Sequence, residues 1–163
     1  MDRSRIGRWT VRRSVHFRPD SYRIVDRFHG MDDRTVRATW CGSYRCEVEA
    51  GDFTVVVDEP ESAGGSNQGP QPTDLLLASM ASCFALALVY AAGKREVVLS
   101  SVDVDATGVY DGARFRTVEI SARLGCDPGE VDRLVRVAEG VCYVANTLRQ
   151  PPEIVVSACH ADG

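Results

Sequence analysis

The chain has 163 residues, of which 44% are hydrophobic and 26% charged, with a formal net charge of −4. This size and composition predict a soluble globular protein whose core is large enough to fold without disulfides or metals. Apolar residues form no unbroken run of about 18, which predicts no membrane span. Arginines interrupt every apolar stretch near the N-terminus, which predicts no secretory signal. We therefore expect a cytoplasmic protein without a membrane partner.

Residues 1–30 form a basic segment with eight arginines against three aspartates. A basic arm for nucleic acid is one interpretation, but the segment has no lysine and its aromatic residues match no nucleic-acid-binding module. We expect a flexible extension and no nucleic-acid partner. Met31 resembles a second translation start, so residues 1–30 need not be made in the cell. Residues 31–163 are predicted to form a single domain.

The first half of that domain is predicted to contain strands, a loop and a long helix. Residues 35–49 and 53–57 have strand-like composition and are separated by Ala50-Gly51-Asp52. Residues 58–71 carry three turn signals and form a loop long enough to be functional. A helix follows from about Thr73 to Gly93, and it is apolar nearly all round. Such a helix is expected at the buried centre of the fold.

A hairpin and a second helix are predicted next. Residues 102–107 and 118–124 alternate between apolar and polar on either side of Asp111-Gly112. The second helix starts at Asp127, an N-cap residue followed by Pro128, and continues past Leu148 to Pro151. Residues 154–156 read as a last strand. Because hairpins and helices are segregated along the chain, we predict an α+β architecture.

Six cysteines occur, but the chain is too large and apolar for a secreted disulfide scaffold. It contains no Cys-x-x-Cys spacing, and we expect no zinc site or other metal. Cys83 and Cys142 each lie within a predicted helix. For either one alone, a structural role as a small buried side chain is the simpler interpretation. The pair has chemical meaning only if the two helices pack with the thiols adjacent.

The sequence around these two cysteines resembles the OsmC/Ohr family. In that family a proline, a Gly-Gly pair and a Pro-[polar]-[acidic]-Leu-Leu stretch precede the helix with the first cysteine. Here the matching residues run from Pro60 through Gly64-Gly65 and Pro72-Thr-Asp-Leu-Leu to Cys83. The stretch Gly140-Val-Cys-Tyr-Val-Ala-Asn-Thr-Leu148 is similar to the second-cysteine helix, where the family usually has proline after the cysteine. The resemblance covers about residues 35–158.

This resemblance implies an OsmC-like α+β fold with two sheets around a long central hydrophobic helix. It also implies an intertwined homodimer with the active site between subunits. The implied activity is thiol-dependent reduction of organic hydroperoxides or hydrogen peroxide in oxidative stress defence, without a cofactor. Cys83 would become a sulfenic acid, Cys142 would form a disulfide with it, and a dithiol such as a lipoyl group would reduce that disulfide.

Peroxide attack requires a thiolate, whereas burial raises the pKa of a thiol. Cys83 lies about ten residues inside its predicted helix, beyond the reach of the N-terminal dipole. A cation must therefore stabilise it, and arginine keeps its charge when buried. Arg45 falls nearest the family's Gly-Gly-Arg position, and Arg37 is the second choice. A solvent-facing strand arginine is the alternative interpretation of Arg45.

Two residues depart from the family pattern. The family's peroxidases have an acidic residue ten positions before the cysteine, where this chain has Thr73 followed by Asp74. Asp74 either holds the activating arginine or serves the helix N-terminus. Tyr143 replaces the proline after the second cysteine. We therefore place the chain among the broader OsmC-like proteins, where a non-catalytic dimer that binds a small apolar ligand, with structural cysteines, is the alternative to a peroxidase.

Overall fold

The computed structural model describes residues 33–160. Strands β1 (Arg37–Trp40), β2 (Cys46–Ala50) and β3 (Phe53–Val57) form an antiparallel sheet in that order. A loop with one 3-10 turn at Glu61–Ala63 leads into helix α1 (Pro72–Lys94). The hairpin of β4 (Val102–Asp111) and β5 (Arg114–Leu124) precedes helices α2 (Pro128–Val141) and α3 (Tyr143–Arg149). The predicted α+β class, with two sheets and a long apolar helix, is confirmed. The predicted extension, residues 1–30, lies outside the described residues.

Helix α1 supplies most of the core. Its buried side chains include Met80, Phe84, Leu88 and Ala91, which recur at helical spacing along one face. Against this face pack Leu134 and Ala138 of α2, both without solvent exposure. The inward-facing residues of the hairpin close the other side, and Val104, Val118 and Ile120 are among them. The core thus lies between the β4–β5 sheet and helices α2 and α3, with α1 running through it.

Helix α1 is also long and apolar enough to cross a membrane, with a mean hydropathy of 2.1 over its most apolar 18 residues. The criterion of an unbroken apolar run did not single out this helix, because Ser79 and Ser82 interrupt the run without lowering its average hydropathy much. Both hydroxyls donate to carbonyl oxygens of the preceding helical turn. One face of α1 packs in the core, whereas 33% of this apolar window is buried within the described chain.

The single strand predicted for residues 35–49 is in fact two strands. The chain reverses at residues 41–45, where Gly42 has a φ of 102° and Ser43 a φ of 49°. The Cys41 and Arg45 main chains close this turn, since Cys41 N–H donates to Arg45 O. Arg45 therefore lies in a turn rather than within a strand. Gly42 was the available turn signal, because glycine adopts a positive φ without strain.

The predicted strand at residues 154–156 does not form within the described chain. Ile154 and Val156 are each 85% exposed, and the segment is irregular. A strand needs a neighbour to pair its backbone groups, and residues 33–160 of one chain offer none at this place. The apolar composition of the segment remains unexplained by packing within one chain.

Candidate active site

Cys83 and Cys142 lie side by side, which the sequence alone could not establish. Cys83 lies in α1 and Cys142 between α2 and α3, and their side chains are close enough to interact with each other. The environments of the two thiols differ. Cys83 is half-buried, whereas Cys142 has no solvent exposure. Cys83 therefore keeps some solvent exposure, while Cys142 is covered by the core.

The predicted second helix is broken at Cys142, and this break positions the thiol. Cys142 has φ −72° and ψ 106°, an extended conformation that ends α2 and starts α3. Two carbonyl oxygens near the end of α2 find new donors. Asn146 Nδ2 donates to Gly140 O at 3.1 Å, and Arg149 Nη1 donates to Glu139 O at 3.3 Å. These bonds satisfy acceptors that an unbroken helix would have paired internally.

The environment of Cys142 favours its protonated form. Burial raises the pKa of the Cys142 thiol, and the hydrogen bond and charge interaction with Cys83 raise it further. The backbone N–H groups of Ala145 and Val144, at the start of α3, act in the opposite direction. Because the net shift is upward, Cys142 keeps its proton at neutral pH and can donate it in a hydrogen bond to the Cys83 sulfur.

A buried carboxylate organises the loop between β3 and α1. Asp58 has no solvent exposure, and its Oδ2 accepts hydrogen bonds from the Ser66 hydroxyl at 2.7 Å and from Ser66 and Gln68 N–H at 3.1 Å. Its Oδ1 accepts from Glu59 N–H at 2.8 Å. The Ser66 hydroxyl, followed by the Gln68, Glu59 and Ser66 N–H groups, lowers the pKa of Asp58 below 3.8, although burial opposes this. We call residues 58–71, closed on this carboxylate, the Asp58 loop.

Arg45 is hydrogen-bonded to the Asp58 loop and not to Cys83 or Cys142, the pair that we call the dithiol. Its Nη1 donates to Gln68 Oε1 at 2.8 Å, and the neighbouring Ser43 hydroxyl donates to Gly64 O at 3.1 Å. Within residues 33–160, no hydrogen bond or ion pair joins Cys83 to an arginine or lysine. The second choice, Arg37, lies on β1 and forms a 4.0 Å ion pair with Glu49.

Asp74 caps α1. Its Oδ2 accepts from Gln71 N–H at 3.2 Å in the first turn of the helix, the second of the two roles considered for it. Cys83 lies nine residues further along, or about 13 Å at about 1.5 Å per residue. The four predicted site residues thus occupy two places in one chain. Cys83 and Cys142 form the dithiol. Arg45 is bonded to Gln68 of the Asp58 loop, and Asp74 lies in the first turn of α1, which follows that loop.

Sequence reasoning missed Asp58 and the helix break. Asp58 was visible only as the first residue of a loop, although an acidic residue after a strand of three valines is a candidate for turn hydrogen bonds. The break had a signal in Gly140 and Asn146, which flank Cys142 and favour helix ends. The described residues contain no group of three or more His, Cys, Asp or Glu side chains that could hold a metal ion.

Comparison with known proteins gives a consistent result. The sequence profile of the OsmC-like protein family matches residues 65–157. No curated protein sequence matches significantly. Among solved structures, an OsmC-like protein from Mycoplasma pneumoniae superposes with a TM-score of 0.66 at 15% identity, covering 74% of this chain and 89% of that one.

Two further structures are described as organic hydroperoxide resistance proteins. The Legionella pneumophila protein has a TM-score of 0.56 at 22% identity, and the match covers 74% of this chain and 91% of that one. The Elizabethkingia anophelis protein has a TM-score of 0.61 at 25% identity, with 75% and 91% covered.

Proposed function

The chain belongs to the OsmC-like protein family, and from that premise we propose that it is a thiol peroxidase that reduces organic hydroperoxides or hydrogen peroxide. The observation that carries the proposal is the contact between Cys83 and Cys142, one half-buried and the other fully buried. Two thiols that served only as packing would need neither contact nor unequal exposure. The likeness to two organic hydroperoxide resistance proteins supports a redox role.

The reaction follows from these positions. The Cys83 thiolate attacks the distal oxygen of the hydroperoxide, so an S–O bond forms and the O–O bond breaks. The leaving alkoxide takes a proton and departs as an alcohol, while Cys83 becomes a sulfenic acid. Cys142, already in contact, gives up its proton and attacks the Cys83 sulfur. The disulfide forms and water leaves. A dithiol such as a lipoyl group then reduces the disulfide by two thiol–disulfide exchanges and is itself oxidised.

We extend the proposal to a homodimer with the active site between subunits. One chain leaves large apolar side chains exposed, including Leu86 and Val89 on α1 and the segment at Ile154–Val156. Apolar surface of this extent favours a partner chain. Arg45 is held by the Asp58 loop, and we propose that it reaches Cys83 only in the dimer. A cytoplasmic location belongs to the same proposal, because thiols remain reduced there.

The experiment compares turnover of cumene hydroperoxide, with dihydrolipoamide as reductant, in four proteins. Cys83→Ser should abolish turnover, since a hydroxyl cannot supply the anion. Cys142→Ser should lose turnover yet still form a Cys83 sulfenic acid that overoxidises. Cys126→Ser is the matched control, because Cys126 is also half-buried against the core but is not part of the dithiol. It should turn over like the wild-type protein.

Arg45→Gln should slow the first reaction with peroxide, and Arg37→Gln, the same change on an exposed strand, should not. If the wild-type protein consumes no hydroperoxide and the Cys142→Ser variant yields no oxidised Cys83, the proposal of peroxidase activity is refuted. A non-catalytic ligand-binding dimer then becomes the better account. That outcome would leave the fold and family assignment unchanged.

A further inference from the structure

Helix α3 connects the dithiol to a cavity whose lining, within the described residues, includes neither cysteine. The cavity has a volume of about 540 Å³ and lies between the first half of α1, the tip of the β4–β5 hairpin and α3. On α3 it is lined by Ala145, Leu148 and Arg149. Because α3 begins immediately after Cys142 and has only seven residues, about 10 Å in length, a shift of Cys142 moves this wall of the cavity.

The two cysteines differ in how easily their backbones can move. Cys83 lies near the middle of the 23-residue helix α1, where the neighbouring Phe84 and Ala87 are buried in the core. Cys142 lies at a break, with extended dihedral angles and a helix on either side. A close-packed helix moves as a unit, whereas a break between two helices absorbs changes in φ and ψ. When the two sulfurs approach to form a bond, we therefore expect Cys142 to move and Cys83 to stay in place.

Two side chains of α3 hold this helix against the end of α2. Asn146 Nδ2 donates to Gly140 O at 3.1 Å. Arg149 Nη1 donates to Glu139 O at 3.3 Å, and its Nη2 lies 3.9 Å from a carboxylate oxygen of the same residue. We call these contacts the α3 clasp. They fix α3 to α2 at two points, so a rotation of α3 about Cys142 lengthens or misaligns at least one of the two hydrogen bonds.

We infer that the fold contains a redox-sensitive switch, in which formation of the Cys83–Cys142 disulfide moves α3, opens the α3 clasp and changes the shape of the cavity. Both S–H bonds break and one S–S bond forms, while two protons and two electrons pass to the oxidant. The switch marks the oxidised state at the exposed residues Leu148 and Arg149, although Cys142 itself is covered. As an event in the cell the inference rests on the proposed function, which supplies a hydroperoxide as the oxidant and converts it to an alcohol and water.

The test forms the disulfide with diamide, which takes up the two protons and two electrons and becomes a hydrazine, so no peroxidase activity is needed. The full-length parent protein carries Cys41→Ser and Cys159→Ser, which remove the two exposed thiols and leave the dithiol intact. Amide hydrogen exchange is measured by NMR in the reduced and the oxidised parent. The Cys142→Ser variant of the parent, treated with diamide in the same way, is the control and should show no change in α3.

The expected response has opposite signs in α3 and in the rest of the chain. Amides of residues 147–150 should exchange about tenfold faster after oxidation, because an open clasp weakens α3. Amides in the buried parts of α1 and of the β4–β5 hairpin should exchange at unchanged or slower rates, because a disulfide restricts the unfolded chain. The methyl resonances of Leu148 on the cavity wall should shift, whereas those of Leu124, at the end of β5 remote from the hairpin tip, should not.

Two alanine variants separate the clasp from the rest of α3. Asn146→Ala and Thr147→Ala both place a strong helix former in α3, but only Asn146 belongs to the clasp. Reduced Asn146→Ala should exchange its α3 amides nearly as fast as the oxidised parent, and oxidation should then change the rate by less than about twofold. Thr147→Ala, at an exposed neighbouring position, should keep the response of the parent.

The outcomes for the switch and for the peroxidase are distinct. The switch is overturned if diamide forms no Cys83–Cys142 disulfide, or if the disulfide forms and leaves both α3 exchange and the Leu148 resonances unchanged. A full response in Asn146→Ala, or any α3 response in Cys142→Ser, also overturns it. If diamide produces the α3 response but the protein consumes no hydroperoxide, the proposal of peroxidase activity fails and the switch stands.

Discussion

Replacing Gly65 with alanine should disrupt the Asp58 loop, because the backbone there has no room for a side chain. A Cβ on Gly65 would lie 1.9 Å from Glu59 O, 2.4 Å from Glu59 C and 2.8 Å from Glu59 Cα. All three are backbone atoms, and contacts under 3.0 Å are essentially never seen for a real Cβ. The two segments must therefore separate by about 1 Å, a distortion we expect to cost about 2–3 kcal/mol.

The consequences reach the candidate site. Glu59 N–H is one of the donors to Asp58, so moving it weakens the loop that holds Gln68 and, through Gln68, Arg45. Urea unfolding should show the lost stability, and amide exchange should show faster exchange at Ser66 and Gln68. Peroxide consumption should slow as well. Gly93→Ala is the control, since its Cβ would meet nothing within 4 Å and alanine favours a helix by up to about 1 kcal/mol. Gly65→Ala with wild-type stability and protected Ser66 and Gln68 amides would refute the reasoning.

Two other perturbations test the account of loop and core. The lowered pKa of Asp58 means that its carboxylate contributes stability fully above pH 3.8, and that this contribution is lost as pH falls below it towards the folded-state value. Asp58→Asn should therefore be less stable than the wild-type protein at neutral pH, and urea midpoints should converge below pH 3.8; a constant difference down to pH 2 would contradict this. Leu134→Ala should destabilise by about 2–5 kcal/mol because the side chain is fully buried, whereas Val98→Ala, 85% exposed, should change little. Similar unfolding midpoints for these two variants would show that the core is misplaced.

The local signals in the sequence were enough to predict the main elements. Asp127 caps α2 by accepting from Gly129 N–H at 2.8 Å, as its position before Pro128 predicted. Apolar alternation predicted the β4–β5 hairpin, whose turn contains Gly112 at φ 62°. These features depend on neighbours within a few residues, so one sequence carries the information.

Other features depend on tertiary contacts. The helical period put Cys142 on an apolar face, but the extended conformation that points its thiol at Cys83 needs donors from Asn146 and Arg149, beyond the break. The contact between the two thiols likewise requires a packing register between helices that periodicity does not specify. The segment at Ile154–Val156 has the composition of a strand, yet composition cannot name the chain that pairs with it. Arg45 shows the same limit, because its hydrogen bond to Gln68 joins residues 23 positions apart in the chain.

The most direct test of the central claim is the mass of the Cys83 and Cys142 peptides after one equivalent of cumene hydroperoxide, analysed without reduction. The account predicts a Cys83–Cys142 disulfide in the wild-type protein, because the two thiols are already in contact. Cys142→Ser should instead show sulfenic and then sulfinic acid at Cys83. Unmodified cysteines in both proteins, or oxidation confined to the exposed Cys41 and Cys159, would contradict the account.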